Sequence, residues 1–282
     1  MAVDVIPSGQ ACGAEIANID ISRPVPDRDA ETIYRAFLEH QVIFFRNQEI
    51  TPTDQRRVCS IFGEVGSYNR PKDRQHPKHA SDEIMLISNV VEDGKVIGAH
   101  PDGEMMWHTD TPYLATPHKA TTLYSVEVPS VGGNTKFSNQ YAVYEALPDN
   151  LKSELQGKTA MNCYEFGTTV KTFDKYDRES VPHHPHPVLR KHPETGKTAT
   201  YVCPLMTEEI IGMDEEESKN ILSLIYALQA EDRFIYEHIW KVGDMIIWDN
   251  RCLLHARTDF PKEQRRLLRR VTVSDEHAVM AA

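Results

Sequence analysis

Short runs of β-branched and aromatic residues recur along the whole chain, each bounded by turn formers, and few architectures can accommodate so many strands. Gln41-Val42-Ile43-Phe44-Phe45-Arg46 is the clearest of them and reads as a buried strand. Further strands are predicted at 83–89, 121–128, 134–137, 159–166, 188–191, 198–203, 234–240, 245–248, 252–257 and 267–273. Helical spacing is confined to 28–40, to a segment that opens at Thr51-Pro52-Thr53-Asp54 and stops near Gly63, to 140–147 and to 214–229. Many strands interleaved with few helices predict a mainly β fold with flanking α, a double-stranded β-helix or jelly roll with helices packed outside it. Glycine and proline, 14 and 17 in number, are scattered and mark no linker, so 1–282 reads as one domain.

Several function classes are disfavoured. The net charge of −11 opposes binding to nucleic acid or an anionic membrane. The longest apolar runs fall short of a membrane span, and Met1-Ala2-Val3-Asp4-Val5 lacks the basic and apolar parts of a secretion signal, so a cytoplasmic protein is expected. Five cysteines, widely spread and without a Cys-x-x-Cys pair, argue for reduced thiols rather than disulfides or a zinc ribbon.

In so acidic a chain the compact cluster Arg265-Arg266-Leu267-Leu268-Arg269-Arg270 is informative. Strand alternation puts Arg266, Leu268 and Arg270 on one face, with the two arginines about 13 Å apart, far enough to serve two anions. Arginine suits that task, because its planar fork grips carboxylate or sulfonate and stays charged when buried. The plain alternative is a solvated edge strand.

A second constellation begins at Glu104-Met105-Met106-Trp107-His108-Thr109-Asp110-Thr111-Pro112, which reads as a short strand ending at a turn. His108 and Asp110 would share a face about 7 Å apart at Cα, a spacing that suits two ligands of one small divalent ion. Fe(II) in non-haem oxygenases takes two imidazoles and one carboxylate on one face. Among 13 histidines, His255 has the most telling surroundings for the missing imidazole. It follows the apolar run 244–248, a turn at Asp249-Asn250 and the return segment 251–254; the alternative there is a hydrogen-bonded core histidine. His183, His184 and His186 are interrupted by Pro182, Pro185 and Pro187, and Pro193-Glu194-Thr195-Gly196 after His192 reads as a hairpin turn, so both groups are treated as decoys.

At this point the residues resemble the taurine/α-ketoglutarate dioxygenase family, which includes 2,4-dichlorophenoxyacetate dioxygenase. The likeness is carried, in the family's order, by Trp107-His108-Thr109-Asp110, by 129–135 (Pro-Ser-Val-Gly-Gly-Asn-Thr), by the hairpin from His186-Pro187-Val188 to Thr195-Gly196, by Trp248-Asp249-Asn250-Arg251 leading to His255, and by Arg265-Arg266 with Arg270. The resemblance implies His108, Asp110 and His255 as Fe(II) ligands, with Trp248 behind them. It implies Thr135 and Arg266 at the distal carboxylate of 2-oxoglutarate, and Arg270 at the anionic end of the substrate. The implied reaction uses O2, decarboxylates 2-oxoglutarate to succinate and hydroxylates a small organic acid, a carboxylate such as an aryloxyalkanoate, or a sulfonate. Asp110 argues against a halogenating variant, which by resemblance would replace that carboxylate.

Asn89 and Lys95, in a segment that looks like part of the phenoxyacetate enzyme, are further candidates for substrate contact, as is Glu104; the alternative for Lys95 is an exposed Asp-Gly hairpin. Tyr68-Asn69 stands where the taurine enzyme has a sulfonate-binding histidine, Glu104 where it has an asparagine, and Cys203-Pro204 replaces a common Asn after Tyr201-Val202. These departures point away from taurine itself. Residues 162–185 read as an active-site loop or lid in which Tyr164, Phe166, Phe173 and Tyr176 could form an aromatic wall. The same iron site would also support desaturation or epimerisation. Rivals from other classes are a jelly-roll metal-binding protein and a zinc hydrolase with Glu104 as base. The family suggests a homodimer or homotetramer.

Overall fold

The computed structural model describes residues 3–66, 83–99, 105–164, 166–168 and 177–282. Its core is a seven-stranded sheet facing a four-stranded one. The larger runs in the order Asp4–Pro7, Ala14–Ala17, Val42–Phe45, Met245–Asp249, Ala120–Glu127, Leu267–Val273, Met85–Ser88, and the smaller in the order Ile235–His238, Thr135–Asn139, Leu253–Arg257, Met105–His108. Pairing is antiparallel except between Ala14–Ala17 and Val42–Phe45. This is the predicted jelly roll.

The central strands are covered on both faces, which is why they read as continuous apolar runs rather than alternating ones. Ile43, Phe45, Met245 and Ile247 pack outward against Ile33, Phe37, Val58 and Phe62 of the helical layer. Their neighbours Val42, Phe44, Ile246 and Trp248 point inward and meet Phe137, Tyr236 and Leu253 of the smaller sheet. The outer helices Asp27–His40 and Pro52–Cys59 arise where the sequence places them. The second opens with a capping box between Thr51 and Asp54 and carries Pro52 in its first turn, where its missing N–H costs nothing. It stops at Cys59, a turn earlier than expected. A further layer, built on Leu151, Leu155, Leu189, Ile210, Leu222 and Ile225, holds the helices Asp149–Leu155 and Glu215–Gln229.

Several elements were not read from the sequence: the strands Asp4–Pro7, Ala14–Ala17, Thr207–Ile210 and Met280–Ala281, and the helix Asp149–Leu155. One reading is corrected. His183–Pro187 is a regular strand despite its prolines, because it lies at the edge of a three-stranded sheet, where the outer side needs no N–H donor. Among the described residues no helix is long and apolar enough to cross a membrane.

Candidate active site

The smaller sheet presents two cross-strand rows to the interior. In the first, Tyr236 stands opposite Phe137, Phe137 opposite His255, and His255 opposite His108. In the second, His238 stands opposite Thr135 and Thr135 opposite Arg257, each two residues along from the first row, and a register irregularity brings Met105, three residues from His108, opposite Arg257. Side chains two apart on a strand share a face, so the imidazoles of the first row and the Thr135 and Arg257 side chains of the second line one cavity.

His108, Asp110 and His255 each offer a ligand atom, all within 4.8 Å of one another, and all three residues are buried. The two rings lie 4.1 Å apart between centroids. Burial lowers the pKa of both histidines, that of His255 further because His108 is beside it, so both are neutral and have lone pairs to give. His108 Nδ1 lies 2.7 Å from the Met106 carbonyl, which as the acceptor fixes the proton there and leaves Nε2 unprotonated. His255 Nδ1 is buried and has no hydrogen-bond partner among the described residues. Burial by itself would raise the Asp110 pKa, but Arg270, His255, His108 and the Thr121 hydroxyl together hold it well below the usual carboxylate range. Two neutral imidazoles and one ionised carboxylate are a donor set suited to a small divalent metal with positions left open.

A relay of hydrogen bonds orients the carboxylate. Trp248 Nε1 donates to Asn250 Oδ1 (2.9 Å), Asn250 Nδ2 donates to Thr121 Oγ1 (3.0 Å), and Thr121 donates to Asp110 Oδ2 (2.5 Å). The Trp248 ring also braces His255, with centroids 4.8 Å apart. The turn between the strands Met245–Asp249 and Leu253–Arg257 is held by an ionic network: Arg251 grips both oxygens of Asp249 (2.8 and 2.7 Å), His192 Nε2 lies 3.0 Å from Asp249 Oδ2, and Arg251 reaches Glu194 (2.6 Å). Asp249 sits well below the ordinary carboxylate range because Arg251 and His192 outweigh its burial. His192, Asp249 and Cys252 also cluster tightly, but the guanidinium already occupies both carboxylate oxygens, and burial pushes the Cys252 thiol well up. That group locks a turn and thereby places His255.

The arginine strand sorts as alternation predicts. Leu268 packs into the inner core, and Arg266 and Arg270 line the cavity with it on their face. On the other face Arg269 covers the Tyr124 ring at 4.3 Å, and Arg265 forms an exposed pair with Glu127 (2.6 Å). Arg270 Nη2 lies 2.6 Å from Asp110 Oδ1. Arg266 is 2% exposed; its Nε donates to the Gly133 carbonyl at 3.2 Å, and burial together with neighbouring Arg257 presses its pKa down to about 9. Thr135 Oγ1 accepts from Trp240 Nε1 at 3.1 Å.

Other candidates lie elsewhere. Asn89 spends its amide on the backbone: Nδ2 donates to the Gln264 (2.8 Å) and Lys262 (3.3 Å) carbonyls, and Oδ1 accepts from Arg266 N (2.8 Å). It thus shapes the approach to Arg266 without lining the cavity. Lys95 lies on the exposed hairpin formed by Val91–Glu92 and Lys95–Val96, as the Asp-Gly reading expected. Glu104, Phe173, Tyr176 and the Tyr68-Asn69 pair lie outside the described residues, as do 165 and 169–176 of the expected lid. Among the decoys, His186 Nε2 bonds the Leu114 carbonyl at 2.9 Å and His183 Nδ1 the Val181 carbonyl at 2.9 Å. Sequence reasoning missed Thr121 and Arg257. Arg257 carried a usable signal, since it lies two residues beyond His255 on the same strand.

Comparison with known proteins identifies the family. The family profile described as taurine catabolism dioxygenase TauD, TfdA family matches residues 4–272. The chain is 32% identical to pentalenolactone F synthase of Streptomyces avermitilis over 96% of this chain and 94% of the relative. It is 29% identical to the α-ketoglutarate-dependent 2,4-dichlorophenoxyacetate dioxygenase of Cupriavidus pinatubonensis, over 99% and 100%. A crystal structure of a taurine dioxygenase from Burkholderia xenovorans superposes with a TM-score of 0.81 at 26% identity, covering 100% of this chain and 95% of that one. With the sequence match running through both sheets and the cavity between them, the chain belongs to the TauD/TfdA dioxygenase family, and it is a dioxygenase that uses Fe(II), 2-oxoglutarate and O2.

Proposed function

We propose that the enzyme hydroxylates a small organic acid at the cavity between the two sheets, a carboxylate such as an aryloxyalkanoate before a sulfonate, with succinate and CO2 as coproducts. In this reading His108, Asp110 and His255 hold the metal, which supplies the oxidising chemistry from O2 when 2-oxoglutarate is bound to it. Trp248 keeps His255 in place, and Thr121 keeps Asp110 turned. Thr135 and Arg266 hold the distal carboxylate of 2-oxoglutarate, and Arg270, farther along the strand, holds the anionic group of the substrate.

The observation that carries the reading is Arg266. It is a guanidinium all but sealed from solvent, beside a second arginine, and among the described residues its side chain donates to a backbone carbonyl and meets no carboxylate. A buried charge without a counter-charge is costly. A carboxylate ligand repays that cost, and the Thr135 hydroxyl is a suitable third contact: its oxygen already accepts from Trp240, which leaves its proton to donate.

The substrate preference rests on the walls. Arg270 is the cation at the Asp110 end, and Ile87, Leu123 and Trp248 around it are apolar, a combination that suits an organic anion with a hydrophobic body. The phenoxyacetate relative, matched over its full length, acts on such an acid by name.

The test is anaerobic. Fe(II) and then 2-oxoglutarate are added to metal-free protein, and the visible spectrum is followed for the metal-to-ligand charge-transfer band of a chelated keto acid. The band is expected, and it should be lost in Arg266→Ala and in His255→Ala. Folded, iron-loaded protein without the band would overturn the reading; with the band in hand, organic acids are screened by succinate release.

A further inference from the structure

We propose that Thr111 is a positioning residue for the metal: its left-handed backbone and its hydroxyl together close the loop that follows Asp110 and fix where that carboxylate stands relative to the two imidazoles. The inference rests on the reading that His108, Asp110 and His255 hold the ion. Those three residues are held by two different sheets. His108 ends a strand of the four-stranded sheet and stands opposite His255. Asp110, two residues on, is held by the seven-stranded sheet instead, with Oδ2 accepting from Thr121 (2.5 Å) and Oδ1 paired with Arg270 (2.6 Å). The chain leaves the first sheet after His108 and enters the second at Ala120, so it has to turn directly beside a ligand.

The turn is made at Thr111, in a conformation that this residue type resists. Among the described residues, the non-glycine positions with positive φ are Asn18, Gln41, Asn47, Asp93 and Thr111, and Thr111, at φ 55°, is the one that is β-branched. A branched Cβ is crowded by the backbone in the left-handed region. Pro112 adds a second conflict, because the residue before a proline is ordinarily extended. Such a conformation persists only where its surroundings over-determine it.

The hydroxyl is what holds it. Thr111 Oγ1 accepts from His118 N (3.0 Å), and the Thr111 carbonyl accepts from Leu114 N (3.0 Å), so side chain and main chain of one residue close the loop 111–118. The loop is also pinned from outside. Thr109 Oγ1 donates to the Asn250 carbonyl (2.8 Å), Lys119 N donates to the Val273 carbonyl (2.9 Å), His186 Nε2 lies 2.9 Å from the Leu114 carbonyl, and Pro112 and Pro117 are buried. Losing the bond to His118 N would let the backbone relax towards the extended form that a threonine before proline prefers, and the adjoining Asp110 would swing with it. Thr121 turns the carboxylate by its oxygen; Thr111 sets the backbone from which that carboxylate projects.

The test measures Mn(II) affinity of the full chain, from the electron paramagnetic resonance signal of free Mn(II), for the parent and for Thr111→Val, Thr111→Ser and Thr111→Gly, with Tm from calorimetry beside it. Thr111→Val keeps the branch and the volume but cannot accept from His118 N, and affinity should fall by about 10- to 100-fold, the loss typical of groups that orient a metal ligand. Thr111→Ser keeps the hydroxyl, and its affinity should stay within about 3-fold of the parent's. Thr111→Gly adopts the left-handed backbone freely yet lacks the hydroxyl, so it should lose about 10-fold or more although the strain is relieved. Circular dichroism checks folding; if Thr111→Val does not fold, Thr111→Gly and Thr111→Ser decide by the same contrast. A role confined to stability would lower Tm and leave Mn(II) affinity within about 2-fold of the parent's in Thr111→Val or Thr111→Gly, and that result would overturn the proposal, as would equal losses in Thr111→Ser and Thr111→Gly. An Asp110→Ala control separates the two claims: if it binds Mn(II) like the parent, or if the parent does not bind it, the reading of the metal triad itself fails.

Discussion

Arg270 Nη2 lies 2.6 Å from Asp110 Oδ1, so the strand that carries the buried arginines also reaches the carboxylate of the proposed metal triad. That contact helps keep Asp110 ionised, and it places the substrate cation next to the reacting centre. The two roles separate experimentally. Arg270→Ala is expected to raise KM for the anionic substrate by about 100-fold, a charge-assisted pair's worth, with 2-oxoglutarate affinity changed by less than about 3-fold. Steady-state kinetics and calorimetry check this, and equal losses for both ligands would merge the two arginines' roles.

Arg266 should trade stability for binding. Replacing it with methionine removes a buried charge without removing volume, so Tm of the ligand-free protein should match or exceed the parent's by up to about 5 °C. The rise in Tm that 2-oxoglutarate produces in the Mn(II)-loaded parent should vanish in the variant. Differential scanning calorimetry with and without 2-oxoglutarate reads both effects.

Thr121 is expected to matter for the metal although it offers no ligand. Its hydroxyl ties up Asp110 Oδ2, and Thr121→Val lets the carboxylate turn. Mn(II) affinity should fall by about 10- to 100-fold, as for other residues that orient a metal ligand. Thr121→Ser should restore most of it.

Acid should destabilise the fold through its buried histidines. Burial lowers His186 to about 4, against about 6.5 in an unfolded chain. Between those values the unfolded chain takes up a proton that the folded one does not, so this contribution is complete above about pH 6.5 and is lost as pH falls towards 4. His118, also lowered to about 4 by burial, acts in the same window. In His186→Gln the slope of unfolding free energy against pH should drop by about 1.4 kcal/mol per pH unit there, measured by urea denaturation.

Much of this architecture was legible because alternation and burial write directly into sequence. The inward set Arg266, Leu268 and Arg270 followed from period two alone, and the doubly covered strands announced themselves as Val42–Phe45 and Met245–Asp249. The structure also brings His108, Asp110 and His255 together, although His255 could be singled out only by its neighbours. What escaped was what lacks such a signal. Asp4–Pro7 and Met280–Ala281 lie at sheet edges with few buried side chains, and Thr207–Ile210 carries two adjacent glutamates. Prolines misled at His183–Pro187, because their cost depends on whether a strand has neighbours on both sides. Asn89 and Thr121 act through hydrogen bonds to residues 175 and 11 positions away, which no local pattern reveals.

Among the described residues, the Met105–His108 strand ends the four-stranded sheet and is paired along one side only, to Leu253–Arg257. Such an edge is the cheapest part of a sheet to open, and its amide protons are the first to exchange. In the proposed triad a metal ion joins His108, and Asp110 just beyond the strand, to His255 on the neighbouring one, a cross-link between two strands that are otherwise held by backbone hydrogen bonds and an irregular register. The ion would thus act as a rivet as well as a reagent, and the free energy of its binding would become the local stability of that edge.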